Sequence, residues 1–401
     1  MSSLSIQQSE LWEISRQLVG FNTVSALSNV IAAEYLADYL ERSGFSVRLL
    51  TEDVHGVQKA MVIAWAGPEV PGGLIISGHI DVVPFDGQPG WKSDPLVLRA
   101  EGQHIFGRGV SDMKVFLAQA LVAAKRHPLN TLRRPLMYIF TCDEEVAGQG
   151  SERLVKVLPH LFNDYPLPTV AIIGEPTNFE IFPAHKGYVT LDINVHGKGG
   201  HSSVPNNGLS AIDKMAEVIQ LLQEMNSSLQ RHVTPENTRL FPDFPYSAFN
   251  SGMIRGGLAP NMIAETCRLT ASMRVAPGDN VEEIMTSLQE KIDTDISGAM
   301  KAVSPDCGVV VENIIAIPPM RSPSEGAFCD FLSRIMGKRI ERGAAFATDG
   351  GYFQTIGINS YICGPGLLSE AHQPNESIPV ANFLTGLERL ESIIYEWCIV
   401  K

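Results

Sequence analysis

Three short segments constrain the fold of this chain more than anything else in it. LIIS (74–77), LMYIFT (136–141) and AIIG (171–174) are almost wholly apolar, and each is followed within two residues by a histidine or an acid. A strand that is apolar on both faces has to be covered on both, so these segments predict a largely parallel sheet flanked by helices. Helical periodicity supplies the covers. Leu11, Ile14, Leu18 and Val19 fit a helix over about 6–19, and further helices are expected at 28–42, 115–126 and 380–399. Strands are expected near 45–50, 60–66 and 358–363. In open α/β sheets, ligands collect beyond the carboxyl ends of the strands, where this chain concentrates its acids and imidazoles.

The texture changes between 186 and 292. YVTLDINVHG, a helix over about 208–225, SAFNSGMIRG and IAETCRLTASMRV, and then another helix, read as a small α+β insertion of ferredoxin-like type with an antiparallel sheet. The expected domains are therefore a discontinuous α/β unit, 1–185 with 293–401, and an inserted unit, 186–292. Apolar segments near 308–315 are expected to rejoin the first unit. A length of 401 residues suits two domains.

Charge and cysteine usage narrow the function classes. With 44 Asp and Glu against 31 Lys and Arg, the net charge of −13 opposes nucleic acid or an anionic membrane as partner. No apolar run approaches the ~20 residues that span a bilayer. The opening residues lack a basic segment followed by an apolar one, so no export signal is expected. The six cysteines lie far apart with no CxxC pair, which fits reduced thiols and a cytoplasmic location.

Five motifs carry the chemistry: SGHID (77–81), RGVSD (108–112), TCDEE (141–145), GEPT (174–177) and EAHQPNE (370–376). Each alone has an ordinary reading. His79 and Asp81 could be a core-satisfied pair, Glu144 and Glu145 a solvated loop, Asp112 a helix cap, Glu175 a turn acid and His372 a surface histidine. Together they place carboxylate or imidazole at several separate strand ends. Imidazole and carboxylate without thiolate suit Zn²⁺, Co²⁺ or Mn²⁺ in an open catalytic site. A pair of such ions activates water and polarises a carbonyl.

SGHIDVVP, GRGVSDMK, CDEEVAGQGS, GEPT and GKGGHSS resemble the diagnostic segments of the metallopeptidase family that contains acetylornithine deacetylase, succinyl-diaminopimelate desuccinylase and glutamate carboxypeptidase. The resemblance spans nearly the whole chain. It implies a dinuclear zinc exopeptidase-like catalytic domain interrupted by a lid and dimerisation domain, in a homodimer. It implies two divalent ions per subunit, with Zn²⁺ favoured over Co²⁺ or Mn²⁺. His79, Asp112 and Glu175 would hold one ion, and Asp112, Glu145 and His372 the other. Asp81 would orient His79, and Glu144 would be the general base. His201, in GKGGHSS, would reach a neighbouring subunit's active site and donate to the oxyanion. Asn261 and Arg274 would grip a substrate carboxylate. A cis peptide at Asp112-Met113 is also implied. The family usually has Gly after DMK, where this chain has Val115, so the backbone there is expected to be ordinary helix or strand.

Within the family, AIIGEPT, AHKGYVTLDINVHGKGGHSS and GPGLLSEAHQPNE lean toward the acetylornithine deacetylase branch. The resemblance thus implies hydrolysis of an N-acyl amino acid, foremost N2-acetyl-L-ornithine, in arginine biosynthesis. A related deacylase, a dipeptidase or a carboxypeptidase shares the same metal chemistry. An inactive, metal-bound dimeric scaffold is the alternative of another class, and the filled Glu144 position speaks against it.

Overall fold

A computed structural model describes residues 6–162 and 165–400. The chain divides into two compact units, the first running to Ala184 with Met320–Ala344 and the residues from Thr348 onward, the second comprising His185–Pro319 with Ala345–Ala347. The principal strands are β1 (Ser46–Val54), β2 (Val57–Ala66), β3 (Leu74–His79), β4 (Leu136–Thr141), β5 (Val170–Ile173), β6 (Gly187–His196), β7 (Ala248–Gly256), β8 (Thr266–Val275), β9 (Gly308–Ile317) and β10 (Asn359–Ile362). The helices used below are α1 (Glu10–Gly20), α2 (Val30–Arg42), α3 (Lys114–Arg126), α4 (Ala211–Leu229), α5 (Val281–Lys291) and α6 (Val380–Ile394).

In the first unit six strands lie in the order β1-β2-β4-β3-β5-β10. The run β4-β3-β5-β10 is parallel throughout, while β2 is antiparallel to both β1 and β4. Every residue of β3 and β4 is buried, as apolarity on both faces requires. Helix α3 is buried from Lys114 through Ala124 and packs on β3, α1 and α6. Two glycines permit that close approach. A Cβ at Gly174 would lie 2.2 Å from the Phe116 ring, and one at Gly386 would lie 2.4 Å from the Gln119 amide. The Gln119 amide instead donates to the Phe383 carbonyl of α6 at 2.9 Å, tying the two helices together. Val115 sits in the first turn of α3 with helical backbone, buried in this core, as its β-branch leads one to expect.

The second unit is a four-stranded antiparallel sheet in the order β7-β8-β6-β9. Alternate residues Val189, Leu191, Ile193 and Val195 of β6 and Leu269, Ala271, Met273 and Val275 of β8 face the buried Met215, Val218 and Leu222 of α4 and Leu288 of α5. The opposite face is polar, and there Asp192 accepts from Arg268 at 2.6 Å, Thr270 at 2.7 Å and Asn313 at 2.9 Å. The β-α-β-β-α-β order is the ferredoxin-like arrangement.

One expectation is corrected. The 308–315 segment does not rejoin the first unit: β9 pairs along β6 from Gly308 opposite His196 to Ile317 opposite Tyr188. Without it β6 would be an open edge of unpaired N–H and C=O groups, and closing that edge decides the placement. The second unit therefore extends to Pro319 rather than ending at 292.

Candidate metal centre

The carboxyl ends of three adjacent strands build the centre. His79 is the last residue of β3. Asp143, Glu144 and Glu145 follow β4, and Glu175 follows β5. Asp112 lies two residues before the start of α3, and its peptide to Met113, the cap of that helix, is cis, as the resemblance implied. The fourth parallel strand, β10, leads into the loop that carries His372.

Asp112 lies between the two imidazoles and addresses one with each oxygen. His79 Nε2 is 3.0 Å from Oδ1, and His372 Nε2 is 3.3 Å from Oδ2. His372 Nε2 is also 3.1 Å from Glu145 Oε2. The ligand-type atoms of His79, Asp112 and Glu145 all fall within 4.8 Å of one another, and so do those of His79, Glu144 and Glu175. His79, Asp112 and Glu175 are buried, Glu144 and Glu145 are partly buried, and His372 is exposed. All five proposed ligand residues and the proposed base thus converge.

The role expected of Asp81 needs correction. Strand β3 stops at His79, so Asp81 lies two residues beyond its end. His79 Nδ1 lies 2.9 Å from the main-chain carbonyl of Asp81 but 3.7 Å from its carboxylate, beyond hydrogen-bond range. Residue 81 orients the ring through its backbone. Its carboxylate instead accepts the N–H groups of Glu144 at 3.1 Å and Glu145 at 3.2 Å, and the Ser25 hydroxyl at 2.7 Å. That carboxylate aims the acid pair.

Several supporting residues were not singled out from sequence. Buried Asp143 is held by Lys59 at 2.8 Å and by Arg153 at 2.8 Å, which fixes the turn leading into Glu144. Asp349 accepts from Thr141 Oγ1 at 2.6 Å, at the end of β4. Nothing in the local sequence marks these pairings, which join residues 84, 10 and 208 positions apart.

The electrostatics describe a centre with surplus negative charge. Burial, with Glu175 beside it, drives the Glu144 carboxyl well above the usual range, and burial with Asp112 beside it does the same to Glu175. Burial and Asp112 raise Glu145 as well. Burial opposes the ionisation of Asp112, but hydrogen bonds from His372 and His79 overcome it and hold that carboxyl below the usual range. Hydrogen bonds to Asp112 and Glu145 push His372 up to about 10. Glu175 Oε1 is buried with no hydrogen-bond partner among the described residues. Four carboxylates facing two imidazoles, with one oxygen unsatisfied, fit divalent cations well, because the ions would supply both missing charge and missing ligation.

The remaining predicted residues lie in the second unit. His201 stands on a two-residue strand, Gly200–His201, paired with Met262–Ile263. Its Nδ1 accepts from the Ser203 main-chain N–H at 3.1 Å, which assigns the ring proton to Nε2 and leaves that nitrogen a donor. Ser202 N–H donates to the Asn261 carbonyl at 3.1 Å, so His201 and Asn261 are neighbours. Arg274 stands apart from both. It lies near the far end of β8, eight residues beyond Thr266, about 27 Å away at the extended rise per residue. Its guanidinium stacks 4.4 Å over the Tyr188 ring. Asn261 and Arg274 of one chain are therefore not brought together.

Comparison with known proteins agrees with this geometry. Peptidase family M20/M25/M40 matches residues 75–396. An acetylornithine deacetylase from Photorhabdus laumondii subsp. laumondii is 30% identical over 394 residues, covering 96% of this chain and 97% of the relative. An M20 family metallo-carboxypeptidase from Sulfolobus solfataricus superposes with a TM-score of 0.73 at 18% identity, over 96% of this chain and 99% of that one. A Bacillus subtilis M20 protein, described as a dinuclear metal-binding peptidase, superposes with a TM-score of 0.61 at 15% identity, over 96% and 98% of the two chains. The family match spans the strands, the helix and the loop that together assemble the acid and imidazole cluster, and on that ground the chain belongs to peptidase family M20/M25/M40 and is a metal-dependent amidohydrolase.

Proposed function

We propose that the enzyme hydrolyses the amide of N-acyl amino acids, with N2-acetyl-L-ornithine as its principal substrate, giving L-ornithine and acetate as a step of arginine biosynthesis. The observation that carries this reading is the end-to-end likeness to acetylornithine deacetylase together with the intact acid and imidazole cluster. His79, Asp112 and Glu175 would hold one ion, and Asp112, Glu145 and His372 the other, with Zn²⁺ favoured and Co²⁺ or Mn²⁺ as substitutes. Bound there, the ions would polarise the scissile carbonyl and acidify water.

The protein's own groups do the proton work. Glu144 is aimed by Asp81, and no described residue hydrogen-bonds its carboxylate, which leaves that group free to face a reacting water. Glu144 takes a proton from the attacking water and delivers it to the leaving amine nitrogen as the tetrahedral carbon collapses. His201, with its Nε2 proton, is suited to donate to the developing oxyanion.

We take the enzyme to be a homodimer in which His201 of one copy would serve the site of the other, while Asn261 and Arg274 would grip the substrate carboxylate. The outer strand β7 and its surroundings expose Ile212, Met253, Ile254, Leu258 and Met262, an apolar edge suited to a second copy. Sedimentation equilibrium should give twice the chain mass; a monomer at micromolar concentration would remove this part of the reading. Six free, buried cysteines fit a reducing compartment, which we take to be the cytoplasm. Among the described residues no helix is long and apolar enough to cross a membrane.

The substrate assignment is tested by turnover after Zn²⁺ or Co²⁺ loading on acetylornithine, acetylcitrulline, succinyl-diaminopimelate and a set of dipeptides. Acetylornithine should give the highest kcat/KM. A higher value for a dipeptide would replace the deacetylase reading with an exopeptidase one.

A further inference from the structure

Glu376 is completely buried, yet the reaction described above does not use it. Its carboxylate gathers four donors from one short turn. Oε1 accepts the main-chain N–H groups of Ser111 at 2.8 Å and Asp112 at 3.0 Å. Oε2 accepts that of Gly109 at 3.0 Å and the Arg108 guanidinium at 2.9 Å. The network continues outward. Arg108 donates to Gln88 Oε1 at 2.7 Å, and Gln88 Nε2 donates to the main-chain carbonyl of His372 at 2.8 Å. His372 has a left-handed backbone, φ 62°, a conformation uncommon outside glycine.

We infer that Glu376 is the positioning residue of the metal centre, fixing Asp112 directly through the 109–112 turn and His372 at a distance through Arg108 and Gln88. Asp112 and His372 come from segments about 260 positions apart in the chain, and this chain of hydrogen bonds runs from the backbone of one to the backbone of the other, beside the contacts of Ser111 with Leu367. Partners behind the ligands set their orientation, and losing one typically weakens metal binding about 10–100-fold. The charge on Glu376 matters as well as its shape. A glutamine would turn an NH₂ group toward one of the two donor pairs, because each carboxylate oxygen here accepts from two donors.

This inference rests on the metal-centre reading above, and its test separates the two. Metal-free wild type, Glu376→Gln and Gln88→Ala are titrated with Zn²⁺ by calorimetry, and the Co²⁺-loaded forms are compared by visible absorption. Wild type should take up two ions, and failure there would sink the metal-centre reading itself. Given that uptake, Glu376→Gln should bind about 10–100-fold more weakly with an altered cobalt spectrum. Gln88→Ala removes a partly exposed side chain that touches neither proposed ion. It should weaken binding by about tenfold while the metal-free protein stays folded and loses only the modest stability of one missing hydrogen-bond acceptor, a combination that a merely structural role would not give. Wild-type affinity and spectrum in a folded Glu376→Gln would overturn the inference. Should that variant fail to fold, Gln88→Ala decides, and unchanged affinity in it overturns the inference equally.

Discussion

Glu144→Gln should keep its ions and lose turnover, with kcat falling by about 10³-fold, within the range that general acid and base catalysis contributes. The substitution preserves volume and leaves the Glu144 N–H on Asp81 untouched. No described residue hydrogen-bonds the lost carboxylate, so the fold has little to lose. In the metal-free protein the change should be neutral or stabilising, because burial and Glu175 already disfavour the charged form. Steady-state kinetics with ion content measured on the same preparation would check this. A kcat within tenfold of wild type would remove Glu144 from the role of base.

Asp112→Ala should be more damaging, because this one side chain faces both imidazoles. Its removal takes an oxygen from each proposed ion at once, so both should dissociate together rather than one surviving. Activity should become undetectable even with added Zn²⁺. The stabilisation that ions confer on wild type, about 2.7 kcal/mol at a free concentration 100 times Kd, should vanish with them. His79 and His372 would also lose the partner that raises their proton affinity. Thermal unfolding with and without Zn²⁺ reads this directly: wild type should shift upward and the variant should not. A variant that still binds one ion tightly would show that Asp112 is not shared.

Much of this site is legible in sequence because its chemistry is local. Apolar runs that end in His79, in Glu144 and Glu145, and in Glu175 declare both the buried sheet and the end at which it works. What is not legible is long-range. The apolar pattern of 308–317 suits either sheet, and only the open edge of β6 assigns it to the second unit. HxD spacing suggests that the Asp81 carboxylate holds His79, yet the strand ends at His79 and the carbonyl takes that place, freeing the carboxylate to aim the acid pair. Lys59, Asp143 and Glu376 owe their roles to partners far away in the chain. Arg274 lies near the far end of β8, which the sequence motifs around Asn261 and Arg274 do not convey.

The central claim is that two ions share one cluster of His79, Asp112, Glu145, Glu175 and His372 and that hydrolysis depends on both. Calorimetric titration of Zn²⁺ into the metal-free wild-type enzyme, with acetylornithine turnover assayed at each addition, tests it most directly. The account predicts saturation at two ions per chain, with full activity reached only as the second site fills. Saturation at fewer than two ions per chain, or full activity in the absence of metal, would contradict it.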